Sequence, residues 1–121
     1  MNTLREKLLA LPKAELHVHF EGTVSPALLL LLAEKNCVDL NAAVALPGLQ
    51  EPIHPPPGLA AGAPRMRDFL DFIGIYLKTT QTIQSADDIL LIAEEMLKSA
   101  AAQNIQCIEC YFTPTTFALF N

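Results

Sequence analysis

The chain has 121 residues, material for one ordinary domain; 51% are apolar and the mean hydropathy is +0.31. The formal charge is −5 and the eight basic residues are scattered, which argues against the basic patch that a nucleic-acid surface needs. No apolar run approaches the roughly 18 residues of a spanning helix, the longest being Ala27 to Ala33, so no membrane association is expected.

The N-terminus mixes charges of both signs and lacks the apolar core of a signal peptide. Three irregularly spaced cysteines do not form a secreted disulfide frame. A reduced, cytoplasmic setting is the expectation.

In chain order, residues 3–10 predict a short helix capped by Thr3, with Leu4, Leu8 and Leu11 as its apolar stripe. Pro12 ends it. From 14 to 20 the chain alternates. Ala14, Leu16, Val18 and Phe20 face one way, and Glu15, His17, His19 and Glu21 face the other, which predicts a buried strand. Ser25-Pro26 marks a helix start; that helix should run to about Asn36 and be buried on most sides. Asn41 to Ala45 predicts a further helical turn.

Residues 46–64 hold six of the nine prolines and three of the five glycines. They predict a long, exposed, polyproline-like loop. Arg67 to about Leu77 predicts a helix with Phe69, Leu70, Ile73 and Leu77 on one side. Ser85 starts another, running to about Gln103, with Ile89, Ile92, Ala93, Met96 and Leu97 inward and Asn104 beyond its end. Ile105 to Phe112 predicts a second strand, and Thr113-Pro114 a helix start. Strand, helices, strand, helix is α/β logic with two parallel strands. Two strands are too few for a stable sheet. The chain therefore resembles the opening part of a (β/α)8 barrel of about 250 residues, incomplete in these 121.

His17 and His19 leave the same strand face, roughly 7 Å apart at the backbone. Both nitrogens could reach one ion at about 2.0–2.1 Å; the alternative is an exposed pair on an edge strand. Glu21, where the strand ends, suits either a substrate contact or a solvated turn. Glu15 could orient an imidazole or pair with a lysine.

Cys107-Ile108-Glu109-Cys110, with His19-Phe20-Glu21, mimics the compact cytidine-type zinc deaminase signature. Gln106, however, stands where that signature has proline. Residues 107 and 110 also face opposite sides of a strand. Both are expected to be buried strand cysteines, and Cys37 a packed helix-end residue. Glu109 should be paired, across to the first strand, and His54 solvated.

The stretch Pro12-Lys13-Ala14-Glu15-Leu16-His17-Val18-His19-Phe20-Glu21-Gly22-Thr23 resembles the first-strand motif of the adenosine deaminase family of amidohydrolases. Arg67-Asp68-Phe69-Leu70-Asp71-Phe72 resembles the family's Phe-Leu segment before its lid helix. Ile105 to Pro114 resembles its second strand.

The resemblance implies a (β/α)8 TIM-type barrel with one Zn2+ at the C-terminal strand ends. It makes His17 and His19 the first two metal ligands, with His19 and Glu21 on the substrate side. It places a third histidine, an aspartate, a proton-passing glutamate and a water-orienting histidine beyond Asn121. The implied reaction is hydrolytic deamination at C6 of adenosine or a related 6-aminopurine nucleoside, giving inosine and ammonia.

Glu21 stands where adenosine deaminases commonly carry aspartate, and Tyr111 where many carry arginine. Adenine and aminodeoxyfutalosine are therefore alternative substrates. The 121 residues alone are expected to be inactive, and to self-associate through exposed sheet edges. A non-catalytic metal- or partner-binding α/β domain is the remaining alternative.

Overall fold

A computed structural model describes residues 3–46 and 48–115. Helix α1 (Leu4–Ala10) leads into strand β1 (Lys13–His19), and a 3-10 turn at Phe20–Thr23 follows. Helices α2 (Pro26–Lys35), α3 (Phe69–Thr82) and α4 (Ala86–Ala102) precede strand β2 (Ile105–Tyr111). The two strands pair in parallel. Among the described residues no helix is long and apolar enough to cross a membrane.

Local chemistry sets the helix ends. Thr3 forms a capping box with Glu6. The hydroxyl of Ser25 accepts the Leu28 N–H ahead of Pro26 at the first helical position. Asp68 accepts the Asp71 N–H. Ser85 and Asp88 form a second capping box. Each cap satisfies an amide that the helix cannot. Asn104 follows α4 at φ 56°, the left-handed position that asparagine tolerates.

Helix α2 has two buried edges. Leu28 and Leu32 pack with Phe20, Ile83 and Ile92, while Leu29 and Ala33 pack with Leu40 and Leu59. That accounts for its apolar run, although Leu31 is exposed.

Other expectations are corrected. The Leu4, Leu8 and Leu11 stripe is exposed. Phe69, Leu70 and Leu97 are exposed too, and α3 continues to Thr82. Residues 41–45 form no helix; Val44 instead bridges Ile53, exchanging hydrogen bonds of 2.7 and 2.8 Å.

The proline-rich loop is not simply exposed. Leu59 is buried in the core, Pro56 is buried, and the backbone of His54 and Pro55 lies against α3 at Gly74. A Cβ there would sit 3.1 Å from the His54 carbonyl oxygen, so only glycine admits this approach without adjustment.

Neither strand is buried as predicted. Leu16 is 70% exposed, and Cys37, Cys107 and Cys110 are all exposed. Among the described residues each strand has one neighbour, and a two-stranded ribbon cannot cover both its faces. The helix expected after Pro114 has its first residues at Pro114 and Thr115, and its remainder lies outside the described residues.

Asp88 joins three segments. Its carboxylate accepts from Lys35 Nζ at 2.6 Å, Asn36 Nδ2 at 3.0 Å, and the N–H groups of Gln84 and Ser85 at 2.9 Å each. Burial opposes its charge, but the hydrogen bonds from Lys35, Gln84, Ser85 and Asn36 outweigh that and hold the pKa at about 2. A lowered carboxyl pKa contributes stability above its unfolded value, which is lost as pH falls through about 4 to about 2. Asp88→Asn should therefore be less stable than wild type by about 2 kcal/mol at pH 6 and converge with it near pH 2. Urea denaturation across that range measures the difference.

Candidate functional site

The site is built at the C-terminal ends of β1 and β2. Their register pairs Glu15 with Ile108, Val18 with Cys110, and His19 with Tyr111. Three steps along β1 therefore match two along β2, so β1 carries a bulge. His17 lies in it at φ 60°. A left-handed histidine is uncommon, and bulges re-aim side chains beside functional sites.

The outcome is the convergence that the alternating pattern predicted, reached by a different backbone. The His17 and His19 ring centroids are 5.3 Å apart. Tyr111 lies 4.7 Å from the His17 ring and 6.0 Å from the His19 ring, and Tyr76 of α3 meets His19 edge-on at 6.4 Å.

Glu21 joins them, with a burial that the strand-end position did not predict. It is 1% exposed, not a solvated turn residue. Its Oε1 accepts the Thr113 N–H at 3.1 Å, which ties the end of β1 to the residues following β2. Its Oε2 is buried without a hydrogen-bond partner. Such an atom costs on the order of 1–3 kcal/mol unless something supplies a donor.

Glu21 and His19 line a cavity of about 380 Å3 together with Val24, Phe72, Ile73, Ile75, Tyr76 and Thr79. The lining is mostly apolar, with His19, Glu21, Tyr76 and Thr79 as its polar side chains. That composition suits a largely apolar small molecule carrying a hydrogen-bond donor.

Other candidates fall outside this centre. Glu15 is exposed and makes no hydrogen bond to either imidazole among the described residues. Glu109 is paired along its own strand, not across to β1: its Oε1 accepts the Tyr111 hydroxyl at 2.8 Å, which pushes the phenol pKa up. Partial desolvation of the Cys110 thiol and then the nearby Glu21 carboxylate push its pKa up. Cys107 pairs in register with Ala14. No group of three or more potential metal-ligating His, Cys, Asp or Glu side chains occurs among the described residues, so the compact cysteine-zinc arrangement is not formed. His54 is exposed, as expected.

Sequence reasoning overlooked Tyr76 and Thr79. Their signal was the spacing of Phe72, Tyr76 and Thr79 along one face of α3. Nothing local could reveal the Thr113 N–H as the partner of Glu21.

The chain belongs to the adenosine deaminase family, whose profile matches residues 12–120. Among curated proteins it is similar to the adenine deaminase of Chlorobium luteolum, with 34% identity over 114 residues, covering 94% of this chain and 30% of that protein. It is also similar to the adenine deaminases of Cupriavidus taiwanensis (33% identity, 93% of this chain, 29% of that protein) and Streptomyces coelicolor (34%, 90% and 28%). The chain thus spans less than a third of the length of these relatives.

Two substitutions test the local geometry. His17→Gly should be more stable than His17→Ala by about 1 kcal/mol, because both lose the ring but only alanine keeps the left-handed strain. Glu21→Gln keeps the acceptor for Thr113 and replaces the partnerless oxygen. It should be at least as stable as wild type, by up to about 1 kcal/mol. Chemical denaturation reads both.

Proposed function

We propose that this chain supplies the first part of the active site of a zinc-dependent hydrolytic deaminase acting on a 6-aminopurine, with adenine as the substrate. The single observation that carries the reading is the buried Glu21 carboxylate, which has an unpartnered Oε2 and belongs to a residue lining the same cavity as His19. An N–H at the edge of a purine ring would satisfy that oxygen, and the aromatic and aliphatic side chains of α3 would cover the ring's face.

Adenosine was the first expectation from the strand motif. The named activities of the relatives favour adenine instead.

The donor set fits part of a metal centre. His17 and His19 present two imidazoles on neighbouring rings, the borderline-soft nitrogen donors that zinc prefers. Bound zinc would supply an activated water near neutral pH. The chain's own residues do the rest of what can be assigned: His17 and His19 hold, Glu21 accepts a substrate N–H, and Phe72, Ile73 and Tyr76 exclude bulk water from one side. The parallel β1–β2 pair with its intervening helices supports reading this part as the opening of a (β/α)8 barrel, in which the remaining ligands and proton-transfer groups would come from other strands. The open β1 and β2 faces, where Leu16 is exposed, are the surface through which the isolated chain would self-associate.

Purified chain should take up about one equivalent of Zn2+, and His17→Ala or His19→Ala should abolish this. Adenine should raise the unfolding midpoint of the zinc-loaded chain, and adenosine should raise it less. Ammonia release from either purine by the 121 residues alone would sink the view that the other catalytic groups lie elsewhere. Equal protection by the two ligands would sink adenine as the preferred substrate.

A further inference from the structure

Metal-bound imidazoles are normally fixed by a hydrogen bond from their second nitrogen to a carboxylate, a carbonyl or water. Here neither His17 nor His19 has a hydrogen-bond partner among the described residues, and both are exposed. Their rings instead contact other rings. Tyr111 touches both: its centroid lies 4.7 Å from His17, tilted by 41°, and 6.0 Å from His19, tilted by 31°.

Tyr111 is itself restrained. It is paired in register with His19, and its hydroxyl donates to Glu109 Oε1 at 2.8 Å. The bulge places one extra β1 residue between Glu15 and Val18, and His17 within it lies beside the same phenol. One ring thus limits the rotation of two imidazoles that hydrogen bonds leave free.

We propose that Tyr111, held by Glu109, is a positioning residue that orients His17 and His19 for the metal. The proposal rests on the metal-site reading above. Glu109 fixes the phenol through its hydroxyl. The phenol face then stops the imidazoles from turning their nitrogens toward solvent. Tyr111 contributes no metal–oxygen bond in this arrangement, since its hydroxyl is directed at Glu109.

The test titrates Zn2+ into the full chain by calorimetry for wild type, Tyr111→Phe, Tyr111→Leu, Glu109→Gln and His17→Ala. Co2+ absorption serves as a spectroscopic readout of donor geometry, and urea midpoints run in parallel. Tyr111→Leu should weaken Zn2+ about tenfold. Tyr111→Phe and Glu109→Gln, which keep the ring but slacken or cut its tether, should each weaken it about threefold and alter the Co2+ bands.

The urea midpoints of the variants should match wild type, because Tyr111 is 44% exposed. If Tyr111→Leu binds Zn2+ as wild type does while His17→Ala does not bind, the positioning role falls and the metal site stands. If wild type takes up no Zn2+, both fall. If Tyr111→Leu fails to fold, Tyr111→Phe and Glu109→Gln decide: unchanged affinity and bands in both would overturn the proposal. Weakened binding matched by an equal loss of stability would make Tyr111 merely structural, and would overturn it as well.

Discussion

The parallel pairing of β1 with β2 is the constraint on which the rest depends. Parallel neighbours cannot be joined by a tight turn; they need a crossover that returns the chain to the same end of the sheet. Residues 20–104 are that crossover, and they contain α2, α3, α4 and the proline-rich loop. The cavity is a product of this route: α3 passes the end of β1, and its apolar side chains close over the space beside His19 and Glu21. The hydrogen bond from Thr113 to Glu21 then locks the two strand ends together. The groups that would meet a ligand are thereby set by pairing across more than ninety residues of chain.

Local features were legible in the sequence. The capping contacts of Ser25-Pro26 and of Ser85 with Asp88, and the left-handed backbone at Asn104, are set within a few residues, so their roles at helix ends could be read directly. The two imidazoles could also be expected to meet, since strand periodicity and the bulged backbone both bring them to one side. What the sequence hid depends on distant partners. The left-handed turn at His17 follows from its register with β2. The burial of Glu21 depends on Thr113, and that of Leu59 on Leu29, Ala33 and Leu40. The cysteines of β2 were expected to be buried because their strand is apolar, but composition cannot supply a covering layer.

The site combines two kinds of tension. His17 occupies a backbone region that disfavours side chains, and Glu21 keeps a carboxylate oxygen buried without a donor. Both are costs to the fold, and both lie at the candidate site. Strain and unsatisfied polar atoms gather at functional sites because the surrounding structure holds them there. Here the holding is done by the strand pairing and by aromatic rings from β2 and α3.

Gly74 gives the proline-rich loop a part in this. The loop backbone rests on α3 at that glycine, while Ile73 and Ile75 on either side of it line the cavity. The loop is therefore a back-stop for the cavity wall. Its length and proline content set how far α3 can lean away from His19, so changes at residues that never approach a ligand would be felt as changes in the width of the space offered to it.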